Sequence, residues 1–297
     1  MLGFLVLLFS VQLINAEVIN DGKCGKNKFL DLEDPQISTR IAGGQISDGL
    51  KTWPWACSFG DGFEKGNTWT HNCGATLITP KHALTAAHCV KQFLWGSKEA
   101  KKKIWEKKIR CGDFNLKNDT DNDEVQIQSF NDFKIHEKHE LNYAHFDIAI
   151  LYIQTPFIVN QFVRTICLQS PMPIEKEGTV IVVGWGLDEH SEHGNELKQT
   201  TMQMLTPQIC DNTVSKLQIK SRFGQDLFCA IDPLYERSGT LEGDSGGPLF
   251  TLNFSAKRYE LRGLVNGGLV GEPDYNTRTS FPEIHNWIVK HIKGEKR

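Results

Sequence analysis

The chain has 297 residues, and its 33 Lys and Arg against 36 Asp and Glu give a formal net charge of −3. This balance argues against a dedicated nucleic-acid binder, because such a protein carries a net basic field. Hydrophobic residues make up 39% and charged residues 23%, which excludes a disordered or collagen-like chain and leaves one large globular domain or two small ones.

The N-terminus carries one long apolar run, at residues 2–13, followed by small and polar residues that end at Ala16. A run of this length is too short to span a bilayer and is typical of a secretory signal peptide. A buried N-terminal helix is the alternative. We therefore predict a signal peptide over 1–16 and a secreted, extracellular chain without a membrane span. Residues 17–40 have mixed charge and no periodicity, and we interpret them as a pro-segment.

Cysteines and glycosylation sequons both fit an exported chain. Eight cysteines, all after residue 16, predict four disulfides in an oxidising compartment. A metal site is the alternative, but the sequence has no C-x-x-C pair, and His136 and His139 lack the second histidine of an H-E-x-x-H motif. We interpret those two histidines as surface residues. Sequons at Asn118 and Asn253 predict N-glycosylation. The cysteines are Cys24, Cys57, Cys73, Cys89, Cys111, Cys167, Cys210 and Cys229.

From residue 41 onward, short β-like runs alternate with turn residues. Examples are 147–153, 179–183, 248–252 and 261–265. Many short strands at roughly regular spacing predict an all-β barrel or sandwich. Near the C-terminus, five residues recur at helical spacing and predict one helix that packs on the body. They are Ile284, Trp287, Ile288, His291 and Ile292.

The most informative segment is GDSGGP at 243–248. Glycines beside Ser245 let the backbone adopt conformations that a side chain forbids and let a substrate approach closely. The segment also fits G-x-S-x-G, the nucleophile elbow of α/β-hydrolases, but that elbow needs a helix after the serine, whereas Pro248 begins a β-like run. A plain glycine-rich turn is the other alternative, and it leaves the rest of the hexapeptide unexplained.

Two further segments offer what a serine nucleophile needs, because its hydroxyl is weak without a nearby base. LTAAHC at 84–89 places His88 among small residues, beside a cysteine that can fix its position. FDIAIL at 146–151 places Asp147 in apolar surroundings, where an unpaired carboxylate would be costly. A carboxylate beside an imidazole holds its tautomer and stabilises its charged form. The chain order is thus His, Asp, Ser.

With these motifs the chain resembles the chymotrypsin-fold, or trypsin-like, serine proteases from about residue 40 to 297. RIAGG at 40–44 is similar to the family's activation site, and GWG at 184–186 to a family strand end. The resemblance implies an all-β fold of two six-stranded β-barrels with the site between them, to which the C-terminal α-helix is added. We therefore predict a serine protease catalytic domain over 41–297.

The resemblance also implies a role for each motif residue. Ser245 would attack the peptide carbonyl, His88 would pass its proton to the leaving amine, and Asp147 would orient His88. The backbone N–H groups of Gly243 and Ser245 would form the oxyanion hole. We expect no cofactor.

Activation and disulfide pairing follow from the same resemblance. Cleavage after Arg40 by an activating protease would free the amine of Ile41, which would pair with Asp244 and order the oxyanion hole. The uncut chain would then be a zymogen. The implied disulfides are Cys73–Cys89, Cys210–Cys229 and Cys24–Cys167, the last tethering the pro-segment after cleavage, with Cys57–Cys111 as the remaining pair.

The specificity pocket departs from the family's pattern at several positions. Gly239 lies six residues before the serine, where the family's pocket base lies, and brings no carboxylate. Cleavage after Arg or Lys is therefore not expected. Leu241 stands where a cysteine is usual. Asn276 aligns with another pocket-lining glycine and would narrow the pocket.

The opposite wall differs as well, since Asn266, Gly267 and Gly268 stand where the family usually has Ser-Trp-Gly. Asn266 replaces a serine that supports the triad aspartate, and Gly267 removes an apolar platform for the substrate chain. These departures keep a catalytically weak or inactive protease-like binding protein as the alternative to a secreted serine endopeptidase with protein or peptide substrates.

A basic stretch from Lys98 to Arg110 holds seven Lys or Arg against two Glu. It is either a solvated loop or a polybasic rim that docks an acidic partner or a polysaccharide. Next to it, four residues partly match the family's calcium-loop spacing, with Thr120 where a second acid is usual. A calcium site there is the alternative to our expectation of no cofactor. The four are Asp113, Asn115, Asn118 and Asp123.

Overall fold

In this computed structural model, the residues described are 19–27, 45–46, 53–61, 69–94, 102–117, 125–139, 144–172, 177–187, 195–214, 225–232, 239–268 and 273–293. The predicted signal peptide, Arg40, Ile41 and Asn118 lie outside these ranges. None of the helices within them is long and apolar enough to cross a membrane.

These residues form fourteen strands, three α-helices and one 3-10 helix. In chain order they are β1 (Gln45–Ile46), β2 (Ala56–Asp61), β3 (Thr70–Thr79), β4 (His82–Thr85), α1 (Ala87–Lys91), the 3-10 helix (Lys103–Glu106), β5 (Lys107–Cys111), β6 (Gln126–Ile135), β7 (Ala149–Ile153), β8 (Cys167–Leu168), β9 (Gly178–Gly184), β10 (Lys198–Met204), α2 (Pro207–Val214), β11 (Leu227–Ile231), β12 (Pro248–Asn253), β13 (Arg258–Gly267), β14 (Asp274–Arg278) and α3 (Pro282–Lys293).

The first barrel closes in the order β2-β3-β4-β7-β6-β5, with every pair antiparallel. Closure occurs because β5 pairs back onto β2, with Cys57 opposite Cys111. Its interior is filled by small and branched residues that alternate along the strands, including Ala75, Leu77 and Leu151. A six-stranded barrel of this size is a packed core and needs no lumen.

The second barrel is formed by β9, β10, β11, β14, β13 and β12, and it closes because β9 pairs with both β10 and β12. Two short strands add to its outside: β1 pairs with β10, and β8 runs parallel to β13. The prediction of two six-stranded barrels is therefore confirmed.

An aromatic cluster joins the two barrels. Trp55, directly before β2, meets Phe250 of β12 edge-on, with ring centroids 5.3 Å apart. Trp53 meets Tyr259 of β13 in the same way, also at 5.3 Å. Such T-shaped pairs add about 0.5–1.5 kcal/mol each beyond the area they bury, so this cluster fixes one barrel against the other.

The C-terminal helix α3 packs as its periodicity predicts. Ile284, Trp287, Ile288 and Ile292 are buried, and the Trp287 indole N–H donates to Glu137 Oε2 at 2.7 Å. The helix is thereby attached to the chain that follows β6 of the first barrel.

Part of the predicted pro-segment, residues 19–27, lies on the second barrel. The Gly25 N–H donates to Thr165 O at 2.8 Å, and the Tyr259 N–H donates to Gly25 O at 2.9 Å. Gly25 has φ of +68°, and a Cβ there would lie 2.2 Å from Tyr259 O, so only glycine fits. Asn20 adds a side-chain pair with the backbone of Leu168.

The structure contains four disulfides, and no free cysteine among the residues it describes. All four are the expected pairs, and they are Cys24–Cys167, Cys57–Cys111, Cys73–Cys89 and Cys210–Cys229.

Candidate active site

His88 lies in the short helix α1, which follows directly from β4 of the first barrel. The small side chains of Ala86 and Ala87 are fully buried and let this turn pack closely. The next residue, Cys89, is bonded to Cys73 of β3, which ties the helix to the barrel wall.

Asp147 lies just before β7 and faces His88. Its Oδ2 accepts from His88 Nδ1 at 2.7 Å, and its Oδ1 accepts from the His88 backbone N–H at 2.8 Å. The preceding residue, Phe146, has φ of +50°, and its N–H donates to the buried Asp226 at 3.0 Å. The bend that presents Asp147 is therefore held by a second carboxylate.

The electrostatics of this pair favour its ionised form. Burial lowers the pKa of His88, but the charge and hydrogen bond of Asp147 outweigh it, so the pKa of His88 is raised. Burial likewise raises the pKa of Asp147, but His88 outweighs it and the net pKa is lowered. Asp147 is only 1% exposed, whereas the His88 side chain is 39% exposed, so solvent reaches the pair from the histidine side.

Ser245 lies in the turn between Gly243, with φ of +101°, and Gly246, with φ of +81°. A Cβ on Gly246 would lie 2.3 Å from Thr85 Oγ1, so glycine lets this turn of the second barrel press against the first. The Gly74 N–H of β3 donates to Ser245 O at 2.8 Å, and the Ser245 hydroxyl donates to Asn266 O at 3.4 Å.

Cys89 lies next to both His88 and the backbone of Ser245. Its Sγ lies 3.6 Å from His88 Nε2 and 3.7 Å from Ser245 O. In this part of the chain, neither the Gly243 N–H nor the Ser245 N–H donates to another described residue. His71 Nε2 donates to Gly243 O at 2.9 Å and holds that residue in place. The arrangement brings a nucleophile, a base and two backbone donors to one site.

The Asp244 carboxylate points away from Ser245, towards Gly184 and Gly186. It accepts from the N–H of Gly186 at 2.9 Å and of Leu241 at 3.0 Å. A Cβ on Gly184 would lie 2.1 Å from Oδ1, so the glycines make the room. Burial raises the pKa of Asp244 to about 6, and the two N–H donors oppose that shift. The predicted partner, Ile41, lies outside the described residues.

That the pocket at Gly239 does not favour Arg or Lys stays a prediction, to which the structure adds a nearby carboxylate. Asp274, the first residue of β14, lies beside that glycine: a Cβ on Gly239 would be 3.1 Å from Asp274 Oδ1. A Cβ on Gly268 would be 2.0 Å from the same oxygen. Asn276 lies two residues further along β14, fully buried, with its Nδ2 donating to Asp274 O at 3.4 Å. That it narrows the pocket stays a prediction.

Asn266 does not contact the Asp147 carboxylate as the usual serine would. Its Nδ2 donates to Ala144 O at 2.6 Å, and it lies 3.4 Å from Thr277 Oγ1. The Thr277 hydroxyl instead donates to Asp147 O at 3.0 Å. A Cβ on Gly267 would lie 2.5 Å from the Tyr275 hydroxyl, so a tyrosine from β14 occupies part of the space that a side chain at 267 would take.

The interpretation of His136 and His139 as surface residues is wrong. His136 is 4% exposed and stacks on Phe146 at 4.6 Å between centroids. His139 is 8% exposed, and its Nδ1 lies 3.8 Å from Asp147 Oδ1. Sequence reasoning missed Thr277 and His139 because neither belongs to a motif.

The basic stretch is partly internal. Lys107 is buried and donates to Asp61, at 2.5 Å, and to Asn72, at 2.9 Å. Arg110 is buried and paired with Asp113. These two cations brace the first barrel and are not available to an acidic partner.

Asp113 does not fit a calcium ligand. Its Oδ1 accepts from the N–H groups of Phe114, at 2.7 Å, and Asn115, at 3.1 Å, and its Oδ2 pairs with the Arg110 guanidinium. Both oxygens are thus already occupied by donors. Elsewhere in the described ranges, Cys73, His88 and Cys89 cluster like metal ligands, but the two sulfurs are bonded to each other and offer no thiolate.

Asn253 ends β12 at an exposed hairpin. Its Nδ2 donates to Glu260 Oε1 at 3.2 Å, and its Oδ1 accepts from the Ala256 N–H at 3.0 Å. Glycosylation of this nitrogen would replace the bond to Glu260.

Two barrels, with a histidine and an aspartate from the first and a serine from the second, define the class of serine proteases. The family model named Trypsin matches residues 42–288. The chain therefore belongs to the trypsin family of serine proteases.

Relatives within this family are distant. Chymotrypsin-C of Rattus norvegicus is 29% identical over 287 residues, which cover 91% of this chain and 94% of that protein. Clotting factor C of Tachypleus tridentatus is 28% identical over 255 residues, which cover 81% of this chain and 24% of that protein. The chain thus spans about a quarter of the length of clotting factor C.

Proposed function

We propose that the chain is an active serine endopeptidase that hydrolyses peptide bonds through an acyl-enzyme. The single observation that carries this is the 2.7 Å contact of His88 Nδ1 with Asp147 Oδ2 next to the Ser245 turn. Because Nδ1 donates to the carboxylate, Nε2 carries the free lone pair, and we infer that it takes the proton of Ser245.

The mechanism follows from this tautomer. Ser245 Oγ attacks the peptide carbonyl while His88 Nε2 takes its proton, and Asp147 stabilises the imidazolium. The oxyanion forms beside the N–H groups of Gly243 and Ser245, each worth about 3 kcal/mol of transition-state stabilisation. His88 then protonates the leaving amine. Water next attacks the acyl-enzyme while His88 takes its proton, and His88 returns that proton to Ser245 Oγ as the acid product leaves.

A fluorophosphonate probe tests the nucleophile. After trypsin treatment, the probe should label the wild-type chain on Ser245, and Ser245→Ala should lose both labelling and peptidase activity, the latter by several powers of ten. The exposed Ser170 offers a matched control, since Ser170→Ala should label like wild type. An unlabelled wild-type chain would instead favour the inactive, protease-like binding protein.

We further infer that the chain is secreted as a zymogen and activated by cleavage after Arg40. Among the described residues, two backbone N–H groups donate to the buried Asp244 carboxylate, and no side chain does. An amine at Ile41 would complete its charge pairing, and breaking such a buried pair costs about 3–5 kcal/mol. Four disulfides support an oxidising compartment. Glycosylation at Asn118 and Asn253 belongs to the same proposal.

Two substitutions test the zymogen. Arg40→Gln should stay inactive after trypsin treatment because the bond is no longer cut, whereas Arg40→Lys should still be cut and activated. Asp244→Asn should be cut but inactive, because the new amine finds no charge. Full activity of uncut Arg40→Gln on a peptide substrate would disprove zymogen activation while leaving the Ser245 assignment intact.

A further inference from the structure

The backbone turns sharply at the residue before the candidate catalytic aspartate. Phe146 has φ of +50°, in the left-handed region that a bulky side chain rarely adopts, and it is buried. The Ile148 N–H donates to Phe146 O at 2.8 Å, which closes a three-residue turn around Asp147. A backbone in this region persists only where its surroundings fix it. The direction of the Asp147 side chain therefore depends on the contacts that hold this turn.

Asp226 supplies such a contact. It is fully buried, and its Oδ2 accepts from the Phe146 N–H and from His145 Nδ1, each at 3.0 Å. Its Oδ1 has no hydrogen-bond partner among the described residues, so the side-chain hydrogen bonds that Asp226 makes to them all go to this turn. Burial of a carboxylate is costly, and a residue that only packed at this position would avoid that cost. The hydrogen bonds to His145 and Phe146 are thus the specific contribution of Asp226.

Asp226 is itself fixed to the second barrel, whereas the turn belongs to the first. The Asp226 carbonyl accepts from the Arg278 N–H at 2.8 Å, and β11 begins with the next residue. Just beyond the turn, Ala149 begins β7 of the first barrel. The barrel that carries Ser245 therefore holds the backbone from which the other barrel presents Asp147.

Two other side chains of the second barrel reach the same segment. Asn266 Nδ2 donates to Ala144 O at 2.6 Å, and the Thr277 hydroxyl donates to Asp147 O at 3.0 Å. Both bind carbonyl groups at the ends of the segment, while Asp226 binds the N–H of the left-handed residue between them. Asp226 therefore acts on the conformation of the turn itself.

We propose that Asp226 is a positioning residue of the peptidase. By holding the turn at Phe146, it aligns the Asp147 carboxylate with His88 and thereby sets the rate of proton transfer from Ser245. This inference rests on the proposed peptidase function and adds to it a residue outside the three triad motifs. A misplacement of about one ångström at a catalytic group lowers the rate on the order of a hundredfold, so loss of this contact should be measurable.

The first experiment compares two replacements of Asp226 on a peptide substrate. Asp226→Leu keeps the branched shape without an acceptor, whereas Asp226→Asn loses the charge and keeps an oxygen that can accept from the Phe146 N–H. Chains are activated with immobilised trypsin, and activity is expressed per molecule labelled to completion by the fluorophosphonate, so that unfolded chain is not counted. Asp226→Leu should lower kcat about ten- to hundredfold with KM within about twofold of wild type, and Asp226→Asn should keep at least about a third of the wild-type kcat.

Two results would overturn the proposal in this assay. One is a wild-type kcat per labelled molecule in Asp226→Leu, and the other is an equal loss of kcat in both variants. If circular dichroism shows that Asp226→Leu does not fold, Asp226→Ala, which also lacks an acceptor, takes its place in every measurement.

The pH profile separates positioning from a loss of stability and from a charge effect. A displaced Asp147 raises the pKa of His88 less, so the midpoint of kcat/KM in Asp226→Leu should move to lower pH. Besides His88, the titratable groups that face Asp147 among the described residues are His139 and Tyr275, and neither is altered. Asp226→Asn removes the same charge and should leave the midpoint within a few tenths of a pH unit of the wild-type value. Equal midpoints in the two variants would contradict a positioning role.

Proton NMR on Ser245→Ala gives a readout that needs no activity. The His88 Nδ1 proton lies in a 2.7 Å hydrogen bond to Asp147 and should give a resolved low-field resonance. Adding Asp226→Leu should shift this resonance upfield or broaden it by exchange with water, and adding Asp226→Asn should not. If the wild-type chain is never labelled but the resonance depends on Asp226, the proposed peptidase activity fails and the positioning role stands. If labelling succeeds and both the resonance and kcat are unchanged by Asp226→Leu, the positioning role alone fails.

Discussion

The proton on His88 decides whether the site can act as a base. Asp147 holds that proton on Nδ1 by a 2.7 Å hydrogen bond, and its charge raises the pKa of the imidazole against the effect of burial. His88 must be neutral at Nε2 to accept the serine proton. In the proposed mechanism, the carboxylate that stabilises the transition state therefore also sets the lower pH limit of activity.

We expect kcat/KM to rise with pH through a midpoint above the ordinary histidine value of about 6.5. Asp147→Asn removes the two contributions that raise the pKa and leaves burial, which lowers it. The midpoint should then move to lower pH, and turnover should fall by about 10⁴-fold. Glu242, an exposed carboxylate directly before Gly243, provides the control. Glu242→Gln should leave the midpoint within a few tenths of a pH unit of the wild-type value. An unchanged midpoint in Asp147→Asn would contradict this account.

How far the sequence predicts the site depends on whether residues are joined by short motifs or by strand register. His88, Asp147 and Ser245 lie in contiguous segments whose composition already indicates their chemistry. Asp274 lies 35 residues after Gly239, and only the register of β14 brings it there, with Asp274 opposite Ala230 of β11. A signal was present, because residues two apart in a strand share a face, and Asn276 was already expected at the pocket.

The packing of helix α3 on the first barrel stabilises the fold. Trp287 is 7% exposed, packs on His136 with centroids 4.9 Å apart, and donates to Glu137. Ile284 and Ile288 bury the rest of that face. Most of the stability of a twelve-residue helix comes from such packing.

Trp287→Ala should lower the free energy of unfolding by about 3–5 kcal/mol, because it removes a large buried side chain. Trp287→Phe keeps most of the packing and loses the hydrogen bond to Glu137, so it should cost about 1–2 kcal/mol. Urea unfolding with the disulfides intact measures both. The exposed Lys290 on the same helix gives a control, with Lys290→Ala expected within about 0.5 kcal/mol of wild type. Equal losses for Ala and Phe would show that packing is not the cause.

At the scale of the whole molecule, the N-terminal segment 19–27 is fastened to the second barrel by one disulfide and a few hydrogen bonds. Cys24 and Cys167 are 143 residues apart in sequence. If the chain is cut after Arg40, this bond alone joins the two pieces covalently.

Cut wild-type chain should therefore run as one species without reductant and as two with it. Replacing Cys24 and Cys167 together by serine should release the N-terminal piece after cutting, detected by size-exclusion chromatography and mass spectrometry. The same double replacement at Cys210 and Cys229 serves as the control and should leave the piece attached. Release of the piece from cut wild-type chain without reductant would contradict the disulfide.

The aromatic cluster of Trp53, Trp55, Phe250 and Tyr259 has a further consequence, because it joins the barrel that carries His88 to the barrel that carries Ser245. A displacement of about one ångström between the two barrels would leave every strand hydrogen-bonded, yet it would lower the rate of turnover on the order of a hundredfold. Moderate heating should therefore abolish turnover reversibly while the circular dichroism spectrum is still that of the folded chain. The rate of turnover would then report how accurately the two intact barrels are positioned against each other.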